Sequence, residues 1–278
     1  MTVGQAREKT REWVQHHAAG LKTFAGAYFS GSVVDLSDGG ELSKYSDVDL
    51  VVVLNVEEPP LKPGKFVYEG VLLEVTYLPW QAISDPDVVL GSYHLAGSFR
   101  KDTIIQDPTG HLRKLQVGVA SQFRNKIWVR RRAENVVHKI EHGLCNMKMT
   151  APIHDKVTSW LFPTGITTHL VLVAALENPT VRKRYLAAKH VLGMYGHGDI
   201  YEELVGYLGC KDFTKEQVEQ HLAFLARVFD DAAEVARTPF FFSSDITPNA
   251  RPIAIDGSAY LIKSGYQREA VFWIVATF

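Results

Sequence analysis

The chain has 278 residues, 46% of them hydrophobic and 22% charged, with a formal net charge of −1. That length fits one or two domains with a sizeable core, and the near-neutral balance argues against a polynucleotide partner, whose phosphates are held by surplus Lys and Arg. Two cysteines, Cys145 and Cys210, make no disulfide framework, so reduced thiols and a cytoplasmic location are expected.

Residues 4–19 carry Trp13, Val14 and His17 at helical spacing, with Gly20 as a stop. The charged run Arg7, Glu8, Lys9, Arg11 and Glu12 lacks the apolar core of a signal peptide. Residues 23–29 read as a strand running into Gly31-Ser32, and Asp38-Gly39-Gly40 as a loop. Residues 47–54 form the next strand. In a strand, side chains two apart share a face, so Asp47 and Asp49 project together. Residues 50–54 are apolar on both faces, as in a central strand covered on both sides. Two carboxylates ~4 Å apart repel by about 4 kcal/mol at an effective dielectric of ~20. Either one protonates or a cation sits between them, and magnesium is the hard, oxygen-seeking ion that suits the pair.

Pro59-Pro60 and Pro63-Gly64 mark a loop, after which residues 65–69 and 71–78 predict a hairpin about Gly70. Glu74 stands alone in the β-branched and aromatic second strand. An acid there makes sense if that strand pairs beside the 47–54 strand, where opposite side chains lie roughly 4.5–5.5 Å apart. Asp47, Asp49 and Glu74 would then share one or two metal ions. Residues 85–96 read as a helix and 103–106 as a short strand before Asp107-Pro108-Thr109-Gly110.

Gly31-Ser32, then Asp47-Val48-Asp49-Leu50, then Glu74 between hydrophobic residues resembles the signature of the DNA polymerase beta-like nucleotidyltransferase superfamily. Ser46-Asp47-Val48-Asp49-Leu50 is most similar to its small-molecule branch, the aminoglycoside and lincosamide nucleotidyltransferases. Asp107-Pro108-Thr109-Gly110 after Ile104-Ile105 also resembles a strand-ending motif of that branch. The resemblance spans residues 20–112 and implies an α+β fold. It would comprise an N-terminal nucleotidyltransferase domain over residues 1–112, a mixed β-sheet flanked by helices. A C-terminal α-helical bundle over residues 113–278 would bind substrate and act as a lid. It further implies that Asp47, Asp49 and Glu74 are the catalytic and metal-holding residues, with one or two magnesium ions. Gly31 and Ser32 would cradle the triphosphate of an NTP, ATP being expected. The other partner would be a small hydroxyl-bearing acceptor, with no nucleic acid and no membrane; oligomeric state is not legible.

Further along, residues 115–147 read as one helix, and Pro152 and Pro163 as breaks. Asn178-Pro179 predicts the start of a helix reaching residue 194. Thr214 with Gln217 predicts a capping box and a helix to 237. Residues 238–257 read as loop and 266–278 as a last helix. The longest apolar stretch, 270–278, is too short to span a bilayer.

His138-Lys139-Ile140-Glu141-His142 matches the H-x-x-E-H pattern of a zinc peptidase, against the simpler reading of a polar helix face with i,i+4 neighbours. A peptidase would leave the three N-terminal acids unexplained. Arg124, Lys126, Arg130, Arg131 and Arg132 read as a solvated basic face. Among Arg182, Lys183, Arg184 and Lys189 one residue is a candidate for the triphosphate. Two alternatives to a small acceptor stay open: transfer to a protein partner, as in an antitoxin, and a nucleotide-binding regulator.

Overall fold

A computed structural model describes all of residues 1–278. It divides into two compact units, Met1–Arg124 with Asp230–Ile253, and Asn125–Phe229 with Ala254–Phe278. The resemblance implies a single division at residue 112.

The first unit is α+β. Helix α1 (Val3–Trp13) opens with a capping box in which Thr2 and Gln5 exchange side-chain and backbone hydrogen bonds. It widens into a π-helical turn at Val14–Ala18. Strand β1 (Phe24–Phe29) leads into a 3-10 turn at Gly31–Asp35. Strand β2 (Val48–Leu54), β3 (Gly64–Tyr68) and β4 (Val71–Pro79) follow. The stretch expected to be one helix over 85–96 is two, α2 (Pro86–Gly91) and α3 (Ala96–Phe99). The Ser92 hydroxyl accepts from the Leu95 amide and ends the first of them. Strand β5 (Ile104–Gln106) and α4 (His111–Gln122) complete this part.

The five strands form one mixed sheet in the order β3-β4-β2-β1-β5. β2 runs parallel to β4, and the other neighbouring pairs are antiparallel. The alternation of β2 sets its faces. Val48, Leu50, Val52 and Leu54 point into a core with Leu73, Val75, Ala27 and Phe29, closed by Val3, Ala6, Trp13 and Val14 of the N-terminal helix. Each of the buried Val, Leu and Phe side chains contributes about 1.5–3 kcal/mol relative to exposure. On the opposite face Asp47 and Asp49 emerge, while Val53 is fully buried further along. Central burial on both faces, expected from the apolar run, is present for the C-terminal half of the strand.

The second unit is helical: α5 (Lys126–Cys145), α6 (Ile153–Ala174), α7 (Arg184–Met194), α8 (Gly198–Tyr207), most of α9 (Lys215–Val235), α10 (Gly257–Lys263) and α11 (Gln267–Thr277). The single helix expected over 115–147 breaks at Asn125, whose backbone is extended and whose side chain caps the Ile127 amide at 3.1 Å. Pro163 does not break α6 but lies inside it, its ring filling the space where Gly143 of α5 has no side chain. Asn178-Pro179 does not open α7. The carbonyl of Thr180 is bonded to the His169 ring at 2.9 Å, which holds this segment out of helical geometry until Arg184. The capping box of Thr214 and Gln217 is formed. The stretch 238–257, read as loop, contains a 3-10 turn at Ser243–Asp245 and a π-helical turn at Pro252–Asp256.

α6 is long and apolar enough to cross a membrane by length and composition, unlike the 270–278 stretch that the sequence ranked longest. Its buried positions include Thr164, Thr168 and His169, and it packs against α5, α7 and α11.

Candidate active site

Strand register builds the site. Asp49 of β2 pairs directly with Glu74 of β4, as the isolated acid suggested, and Glu74 pairs in turn with Lys65 of β3. A row of acid, acid and base therefore crosses three adjacent strands. Asp47, two residues before Asp49, shares its face. One oxygen from each of Asp47, Asp49 and Glu74 lies within 4.8 Å of the others. At that separation each ionised pair repels by roughly 3–4 kcal/mol at an effective dielectric of ~20.

Gly31 and Ser32 come to the same place. The Ser30 amide donates to the Asp49 carbonyl at 3.0 Å, bringing the end of β1 against the start of β2. Gly31 has φ +61°, and a Cβ there would run into the Asp49 carboxylate. Only glycine meets both demands. Ser32 is exposed, its hydroxyl 3.4 Å from that of Ser46. The spacer between Gly31 and Asp47 is not loose. Arg7 of α1 donates to the Val33 and Leu36 carbonyls at 2.5 and 3.0 Å and to Asp38 at 2.5 Å. The amides of Val3 and Gly4 bond the carbonyls of Gly40 and Asp38. Arg100 and Lys101 hold Asp35.

Three residues that the sequence reading passed over complete the cluster. Lys65 Nζ lies 2.5 Å from Glu74, 3.4 Å from Asp47 and 2.5 Å from Asp245. Lys62 Nζ lies 2.7 Å from the other Glu74 oxygen and sits over the rings of Phe241 and Phe242, 4.4 and 5.6 Å from their centroids. Both lysine side chains are nearly buried, at 6% and 5% exposure. Asp245 arrives on the Ser243–Asp245 turn, which packs on β3. Gly64, with φ +68°, allows the close approach, because a Cβ there would meet the Ser244 side chain. Lys65 was findable: a two-residue turn at Glu69-Gly70 puts it opposite Glu74. Asp245, 180 residues from its partner, carried no local signal.

The ionisation of the cluster follows from burial and neighbours. Burial drives Asp49 well above the ordinary carboxylate range, and the charges of Asp47 and Glu74 add to it. Burial also raises Asp47, opposed in part by Lys65. For Glu74 burial pushes upward too, but Lys65 and Lys62 outweigh it and hold the carboxyl below its usual range. Burial would lower Lys65; the surrounding carboxylates of Asp47, Glu74 and Asp245 instead raise it, so its ammonium is charged throughout the neutral range. Three hard carboxylates converging at one end of a sheet could hold a divalent metal ion.

Other sequence candidates fall elsewhere. His138 and His142 stack one turn apart, 6.2 Å between ring centroids, on an exposed face of α5 with Glu141. They do not join a converging ligand group; Asp47, Asp49 and Glu74 do. Arg132 is not part of a solvated basic face: it is buried, and desolvation lowers its pKa to about 10. Arg184 is buried over the Phe272 ring, and Lys189 is paired at 2.6 Å with buried Glu269. Both are engaged inside the helical unit.

No protein-family model matches the chain, and no curated protein matches it. Among solved structures, the chain is similar to a nucleotidyltransferase-like protein from Exiguobacterium sibiricum 255-15, at 14% identity over 93% of this chain and 91% of that one, with a TM-score of 0.32.

Proposed function

We propose that the chain is a metal-dependent nucleotidyltransferase that moves a nucleoside monophosphate from an NTP, ATP foremost, to a hydroxyl of a small molecule such as an aminoglycoside-like antibiotic. The observation that carries this is the convergence of Asp47, Asp49 and Glu74 within 4.8 Å, with the Gly31 turn closed against Asp49. A lone acid pair at a strand start is commonly solvated. Three acids brought together by strand register beside a glycine turn that tolerates no side chain support a site for a cation and the phosphate oxygens it would bind.

The acids would hold one or two magnesium ions, which when bound neutralise triphosphate charge and lower the pKa of the acceptor hydroxyl. The chain's own part is positioning. Gly31 and the Ser32 hydroxyl would cradle the β- and γ-phosphates. The acceptor oxygen bonds to the α-phosphorus, the bond from that phosphorus to the bridging oxygen breaks, and pyrophosphate leaves. The low pKa of Glu74 favours its role as an ionised ligand over that of proton acceptor.

The test is pyrophosphate release from ATP and magnesium across a panel of aminoglycosides and other small polyols. Turnover is expected with at least one acceptor and its loss in Asp47→Asn and Asp49→Asn, each of which removes a charge while keeping the shape. Near-wild-type turnover in both variants would refute the site.

A further inference from the structure

Asp47 and Glu74 are not bare carboxylates waiting for an ion. Both oxygens of Glu74 already carry an ammonium, Lys62 on Oε1 at 2.7 Å and Lys65 on Oε2 at 2.5 Å. Lys65 also reaches Asp47 at 3.4 Å, so one positive charge lies between two members of the acid trio. An ion bound at about 2.0–2.1 Å from those oxygens would stand close beside the Lys65 ammonium, and two like charges that near each other repel. Lys62 touches only Glu74 and is held over the Phe241 ring. Lys65 alone bridges two acids of the trio. Its third partner, Asp245, lies outside the trio, so that 2.5 Å bond is not in competition with the ion.

We infer that Lys65 is a tethered counter-cation standing in the place of a divalent ion between Asp47 and Glu74, and that Asp245 is the positioning residue that retains its ammonium when an ion enters. This rests on the metal-site reading above. A lysine suits the task, being a point charge on a flexible four-carbon stem that swings between acceptors without rearranging the sheet. Without Asp245, an ammonium expelled from Glu74 would sit beside the incoming ion with no acceptor. With it, Lys65 exchanges one carboxylate environment for another. The negative charge of the ion-free site is thereby partly offset, and the acids stay aligned on their strands before loading.

Manganese binding without nucleotide, followed by the electron paramagnetic resonance of the free ion, tests both halves. The proteins are wild type, Lys65→Met, Asp245→Asn, the double variant and Asp47→Asn. Lys65→Met is expected to bind manganese at least about tenfold tighter than wild type. Asp245→Asn is expected to bind several-fold weaker, and that loss should vanish in the Lys65→Met background because Asp245 acts through Lys65. Wild-type affinity in Lys65→Met would overturn the counter-cation. A loss from Asp245→Asn that persists without Lys65 would make Asp245 a ligand and overturn its retaining role. Manganese bound by wild type and lost in Asp47→Asn, with Lys65→Met unchanged, overturns this inference and leaves the metal site standing. No binding by any protein sinks both. Should Lys65→Met not fold, Lys65→Gln decides: it is expected to bind manganese at least about tenfold tighter than wild type, and wild-type affinity overturns the proposal.

Discussion

Asp49 sits beside two other carboxylates, where its charged form is disfavoured. Burial and the charges of Asp47 and Glu74 raise its pKa above that of the unfolded chain. Between the ordinary carboxylate range and the raised value, the folded state binds more protons than the unfolded one. Stability from this group is therefore lost as pH rises through that window. Asp49→Asn removes the titration. Without metal it is expected to melt a few degrees above wild type near neutral pH, with the difference closing toward pH 4, while transferase activity disappears. Melting curves across pH 4–8 check this, and a lower Tm for the variant at neutral pH would contradict the buried-charge account. Gly31 makes the opposite expectation. Gly31→Ala puts an L side chain at φ +61° and into the Asp49 carboxylate. A left-handed L residue alone costs roughly 1–2 kcal/mol, so the variant should lose at least that in denaturant unfolding, and its activity with it.

At the scale of elements, two devices place the acids. One is the clamp of α1 on the 31–40 segment. Arg7 is 16% exposed at its side chain and satisfies two backbone carbonyls as well as Asp38. Arg7→Ala is expected to cost about 1–3 kcal/mol and to speed amide hydrogen exchange over residues 31–40 without affecting β4. The other is the β3–β4 hairpin. Its two-residue turn has positive φ at both Glu69 and Gly70, which matches the twist of the strands and pairs Tyr68 with Val71 and Lys65 with Glu74. This part was legible in the chain, since turn residues and strand alternation depend on neighbours a few positions apart. The strands carrying Asp49 and Glu74, the hairpin about Gly70 and the Thr214 capping box were all readable on that ground. The break at Asn125 and the uninterrupted α6 at Pro163 were not. An asparagine cap competes with a long apolar period, and a proline is accommodated only where a partner such as Gly143 leaves space, which local pattern does not record. Lys65 lay within reach of the same reasoning that found Glu74, but a lysine in a strand ordinarily faces solvent.

At the scale of the molecule, ligand linkage offers the broadest test. An NTP with magnesium at about 100 times its Kd would add about 2.7 kcal/mol. For a chain of ~150–250 residues each kcal/mol is worth roughly 2–4 °C in Tm. The shift is expected in wild type and in His138→Ala, and absent in Asp47→Asn. Differential scanning calorimetry reads it, and a shift lost in His138→Ala would point to the histidine pair instead. The way the chain is threaded also bears on when this site comes into being. The first unit takes its last piece, residues 230–253, after the chain has laid down the whole of 125–229. Asp245 follows Lys65 by 180 residues. At a synthesis rate of about 5–20 residues per second, Asp245 is made on the order of 10–40 s after Lys65. Through that interval the emerging sheet carries Asp47, Glu74 and Lys65 with no Asp245 to share the ammonium. On the ribosome, the acid row and its lysine are thus present well before the carboxylate that completes them.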